Sequence, residues 1–111
     1  MAKRAVNTPI ERSSGNVFAD LGLPDADTHR VKAELVSRID EIVRRRRLTQ
    51  SEAAKVLGIS QPDVSRLLRG NFREYSVERL LRLLQALGQD VDIVIRKARR
   101  SRPGRLRVAA G

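Results

Sequence analysis

Residues 49–88 are cut into short lengths by three helix-starting residues, each answered by a glycine. Thr49 is followed by Glu52 at the spacing in which hydroxyl and carboxylate each accept from the other residue's backbone amide, and Gly58 ends that stretch. Ser60 precedes a second helix, with Pro62 in the first turn, where amides lack partners within the helix, and Gly70 as its stop. Ser76 opens a third, which Gly88 closes. A chain punctuated this closely is predicted to fold as short helices packed at an angle.

Upstream, Asp25 to Asp27 offer caps and acidic residues suited to a helix start. Val31, Leu35, Ile39 and Ile42 then recur on one helical face, and Arg44 to Arg47 place cations at its carboxyl end. Val77, Leu80, Leu81, Leu84 and Leu87 give the last helix its buried face. After Gly88 the period changes. Val91, Ile93 and Ile95 alternate with Asp92, Val94 and Arg96, which predicts a strand. A lone strand cannot satisfy its ladder, so this one needs the Val17–Phe18 region, a symmetry mate or another protein beside it.

The expected organisation is a polar arm with a short packing segment over residues 1–24, a domain over 25–96, and a basic tail over 97–111. That tail, KARRSRPGRLRVAAG, shows no usable apolar face and is expected to be disordered when free. The fold class is all-α: four to five helices with one short C-terminal strand that pairs in a dimer.

A formal charge of +10 on 111 residues makes a polyanion the natural partner. Residues 91–111 carry 7 basic groups against 1 acidic, Arg99, Arg100, Arg102, Arg105 and Arg107 among them, and should add a sequence-independent attraction. Aromatics are only 3%, so the core must come from aliphatic side chains. Cysteine is absent, which excludes disulfides and thiolate metal sites, and His29 has no second ligand of its kind. No long apolar run predicts a membrane span and the amino end lacks a secretory pattern, so a cytoplasmic location is expected. Asp40 and Glu41 lie roughly 100° apart on a helix and form no catalytic pair. Ser51 and Ser65 have no histidine–aspartate partners at a supporting spacing. No catalysis, cofactor or metal is expected.

The most informative stretch is Gln50 to Arg69, QSEAAKVLGISQPDVSRLLR. Two helices crossing steeply need a small residue at the crossing, supplied by Ala54, and a sharp reversal, supplied by Gly58. Val64 and Leu67 press back into the wedge that Ala53, Leu57 and Ile59 complete. An ordinary helical hairpin would explain that spacing equally well. It would not explain an outward face of Ser60, Gln61, Pro62, Ser65, Arg66 and Arg69 on which only Asp63 is acidic. Short polar groups and arginine are what a helix needs in the major groove of DNA.

The stretch LTQSEAAKVLGISQPDVSRLLRG resembles the phage repressor/Cro-like (Xre) helix-turn-helix family, whose pattern runs TQ-x-x-A, G-[IV]-[ST]-Q and [IV]-S-x-[IL]-x-x-G. The likeness covers about residues 30–88 and implies a lambda-repressor-like bundle. The flanking SSGNVFADLGLPDAD and LLQALGQDVDIVI resemble a subgroup that includes HigA-like antitoxins. By resemblance, Gln50 and Ser60 would hydrogen-bond phosphates, and Gln61, Pro62, Ser65 and Arg66 would face base edges. Arg69 and Asn71 would lie near the backbone at the far end. Pro62 departs from the pattern, since it offers only apolar contact where a polar base-reader often stands. The implied protein is a homodimeric repressor on a double-stranded operator, acting as an autoregulating antitoxin with a ribonuclease toxin. A stand-alone regulator and an RNA-binding accessory protein are the alternatives.

Overall fold

The computed structural model describes residues 25–99 and 103–109; the expected amino-terminal arm and the Val17–Phe18 segment lie outside them. Among the described residues four helices follow in order: α1 (Asp25–Arg45), α2 (Gln50–Leu57), α3 (Gln61–Leu68) and α4 (Val77–Ala86). Their starts are local chemistry. The Glu52 amide donates to Thr49 Oγ1 at 3.0 Å, and the Thr49 amide donates to Glu52 Oε1 at 2.8 Å. Ser60 and Ser76 accept in the same way from the amides of Asp63 and Arg79, at 3.1 and 3.0 Å. Each such cap contributes about 1 kcal/mol.

The helices end alike, on a residue in the left-handed region that lets the chain reverse. Gly58, Gly70 and Gly88 serve α2, α3 and α4 with φ of 73°, 101° and 84°. At the end of α1 the same role falls to Arg47, with φ of 55°. Its amide donates to the Arg44 carbonyl, and the Leu48 amide reaches back to the Val43 carbonyl, both at 3.0 Å. A side chain in this conformation costs roughly 1–2 kcal/mol that glycine avoids.

α1 lies principally against α4, and α2 against α3. Ile39, Val64, Leu67 and Leu80 are completely enclosed where these pairs meet. The stripe expected on α1 proves too narrow. Val36 and Val43 are buried along with Val31, Leu35 and Ile39, whereas Ile42 is half-buried. α1 contacts α3 as well as α4, so it presents a wider apolar arc than one partner would require. In α4, similarly, Leu83 is buried with Val77, Leu80, Leu84 and Leu87, while Leu81 is half-buried. Two polar ties fasten the frame. Lys32 Nζ donates to the Arg73 carbonyl in the loop after α3, and Arg46 Nη1 donates to the Leu87 carbonyl at the end of α4, both at 3.1 Å. Partial burial, and then the neighbouring Arg73, lower the Lys32 pKa from its ordinary value.

Two expectations for the carboxyl end need correction. Among the described residues no strand forms over Val91–Ile95. Val91 packs against the core, but Ile93, Val94 and Ile95 are 78%, 68% and 92% exposed. The alternating pattern is present, but among the described residues no neighbouring strand takes up its backbone groups. The basic tail, in turn, does own an apolar face. Leu106 and Val108 are half-buried against the core while Arg105 and Arg107 are exposed between and beside them. Two aliphatic residues among arginines read as apolar only once the hollow bordered by Val31, Leu35, Ile42, Leu81 and Val91 exists to receive them.

The packing predicts unequal costs for two isoleucines one turn apart. Ile39→Ala should lower the urea unfolding free energy by about 2–5 kcal/mol, the usual range for emptying an enclosed aliphatic site. Ile42→Ala should cost roughly half of that or less. Equal losses would mean that α1 does not face the core as described.

Candidate nucleic-acid interface

Ser60 turns the chain into α3 immediately after the Gly58 reversal, and Val64 and Leu67 seat that helix with no accessible surface left. At about 100° per residue, the arc opposite these anchors is occupied by Pro62, Ser65, Arg66 and Arg69. Pro62, Arg66 and Arg69 are exposed and Ser65 is half-buried, with Gln61 exposed at the flank. The polar surface expected of α3 is therefore presented outward. Gln50 and Gln61 both occupy the first position of their helices, directly after a cap, and both are exposed. Asn71 is exposed too, and its amide donates to the Arg66 carbonyl to close α3 at 2.9 Å.

Three side chains carry more local structure than their sequence positions suggested. Arg66 Nη2 donates to Asp63 Oδ1 in an ion pair one helical turn long. One nitrogen of the guanidinium is thereby steadied while its other donors stay available, which aims the group without using it up. Arg69 folds back, its Nε donating to the Ser65 carbonyl at 3.3 Å. Ser60 is exposed, but its hydroxyl accepts the Asp63 amide and also bonds the Asp63 carboxylate. Any phosphate contact at Ser60 must compete with that arrangement. The small residue most deeply set in the wedge is Ala53, fully buried, while Ala54 beside it is half-buried.

Asp63 was legible in the sequence only as the lone acid on this face. The spacing of three to Arg66 was the available signal, since residues so placed are neighbours on a helix. The loop beyond α3 is set by aromatic packing rather than by polar reach. Phe72 and Tyr75 are buried, the His29 ring lies 5.1 Å from that of Phe72, and the Arg79 guanidinium stands 4.5 Å over Tyr75. Burial raises the Tyr75 hydroxyl pKa. Of the arginines at the end of α1, Arg44 and Arg45 pair with Asp40 and Glu41 on the same helix, at 3.0 and 2.9 Å.

Hydrogen bonds from the Arg66 guanidinium and the Ser60 hydroxyl hold the Asp63 carboxyl below the usual carboxylate range. A carboxyl depressed in the folded state stabilises it above the unfolded pKa, and that contribution disappears as pH falls through the folded value. The pair should thus persist from neutral pH to below the ordinary carboxylate range. Arg66→Ala should move the Asp63 titration upward, as followed by carbon-13 NMR of the side-chain carboxyl. An unmoved titration would show that Arg66 is not its main partner.

Comparison with known proteins accords with this geometry. A helix-turn-helix domain family model matches residues 17–96. A solved structure described as an XRE-family transcriptional regulator is 47% identical, covers 79% of this chain and 100% of its own, and superposes with a TM-score of 0.75. No curated protein matches. With the model spanning most of the chain, and a relative this similar over its full length, the protein belongs to the XRE-like helix-turn-helix family.

Proposed function

We propose that this protein is a sequence-specific DNA-binding transcriptional repressor that works as a homodimer and serves as an autoregulating antitoxin, with no catalytic activity of its own. One observation carries the DNA-binding part: α3 is anchored by enclosed Val64 and Leu67 and turns Pro62, Ser65, Arg66 and Arg69 outward. In the major groove, Arg66 would take guanine O6 and N7, Pro62 would meet a thymine methyl, and Gln61 and Ser65 would read base edges beside them. Gln50, Ser60, Arg69 and Asn71 would position the helix against phosphates, which fix register rather than sequence. Family membership supports the same reading, as does the relative's description as a transcriptional regulator.

Two considerations support the dimer. One recognition helix reads only a few base pairs, so such proteins gain specificity by pairing on two half-sites. Ile93, Val94 and Ile95 form a consecutive exposed apolar run, beside which a second copy could place its own equivalent segment. The antitoxin role rests on the likeness of the flanking residues 13–27 and 83–95 to HigA-like proteins, and the partner would be a small ribonuclease. A stand-alone regulator is the second reading, which the relative's description suits equally. Co-purification of a small ribonuclease with the natively expressed protein separates the two.

Selection of bound duplexes from random DNA tests the central claim. A palindromic consensus is expected, and a pool left without consensus would refute sequence-specific binding. On the selected duplex, Arg66→Ala should weaken binding by about 1–3 kcal/mol and relax one base position per half-site. A loss of equal size on every sequence would move Arg66 from base reading to phosphate contact. Sedimentation at micromolar concentration should show a dimer, and a monomer there would remove the two-fold arrangement.

A further inference from the structure

The four arginines at the carboxyl end of α1 and just beyond it look interchangeable in sequence, yet three of them are engaged. Arg44 pairs with Asp40, Arg45 with Glu41, and Arg46 holds the Leu87 carbonyl. Arg47 is exposed and has no side-chain partner among the described residues. It also occupies a backbone site that suits glycine. The ends of α2, α3 and α4 use glycine for the left-handed residue, and only the end of α1 places a long side chain there, at φ of 55°. The turn itself closes α1 through the Arg47 and Leu48 amides, but glycine would make it without the cost of a side chain, so the choice of arginine points to what that side chain reaches outside the fold.

Position completes the case. Arg47 stands three residues before Gln50, a stretch that spans at most about 11 Å. Its backbone therefore stands close to the amino end of α2, where Thr49 caps the helix and Gln50 is exposed. We propose that Arg47 is a phosphate-contact residue, held left-handed so that its side chain leaves the arginine cluster and grips the DNA backbone next to Gln50. This rests on the DNA-binding reading and deepens it, by singling out one cation of the four and giving it a sequence-independent role.

The test uses the full chain and a duplex obtained by selection, with affinity measured across a salt series for wild type, R47G, R47K and R44Q. Glycine suits the backbone here, so R47G should unfold a few degrees higher than wild type, which keeps misfolding from imitating a loss of contact. Its affinity should nevertheless fall about five- to tenfold near 0.1 M salt, equally on specific and unrelated duplexes. The slope of log affinity against log salt should become shallower by about 0.9, the signature of one lost phosphate. R47K should keep most of that slope, and R44Q, which removes the same charge from a paired arginine, should change it little. The proposal is overturned if R47G binds like wild type, if R44Q matches R47G, or if R47G unfolds at a lower temperature. Wild type binding no duplex at all would overturn the DNA-binding reading along with it, whereas wild type binding beside an unaffected R47G removes Arg47 alone.

Discussion

Val64 and Leu67 have no accessible surface, and every feature of the proposed interface depends on that. An eight-residue helix has little stability of its own, because starting a helix costs more than so few turns return. α3 persists because these two side chains are enclosed by its neighbours and because Ser60 and Gly70 close its ends. Anchoring one face relieves the opposite arc of any part in the core, although Arg66 and Arg69 keep local bonds to Asp63 and to the Ser65 carbonyl. Pro62, Ser65, Arg66 and Arg69 can then be chosen for what they touch outside the molecule.

The support behind α3 is layered. α2 holds it through the wedge around Ala53 and Leu57, while α1 and α4 form the base on which that wedge rests. Lys32 and Arg46 tie α1 to the loop after α3 and to the end of α4 through backbone carbonyls, so cations serve as structural fasteners where the sequence suggests only charge. The net charge of +10 is accordingly not one undifferentiated field. Some arginines neutralise acids on their own helix, one is steadied by Asp63 on the outward face, and Arg47 stands apart at a strained turn.

Much of this architecture could be read from the order of residues, for a specific reason. A hydroxyl before a helix, a glutamate three residues on, and a glycine at a reversal act over distances of a few residues, and they operate whatever else the chain does. The starts and stops of α2, α3 and α4 followed from them, and so did the division of α3 into an anchored and an outward face. The small, apolar and glycine positions of the family pattern lie in the same stretch because the crossing of two helices imposes them.

Other features depend on which surfaces meet. Val36 and Val43 are buried on a helix that contacts two others, and no spacing along one helix announces the number of its neighbours. Leu106 and Val108 become an apolar face only beside the hollow that receives them, and the alternation at Val91–Ile95 yields no strand among the described residues, where no second strand lies alongside. The left-handed turn at Arg47 is likewise invisible in a run of four arginines, since it arises from the direction in which α1 must release the chain toward α2. Local hydrogen-bond chemistry is written in neighbouring residues. Contact between distant ones depends on how the helices pack, and it is packing that separates the arginines that fasten this fold from those left exposed and unpaired among the described residues.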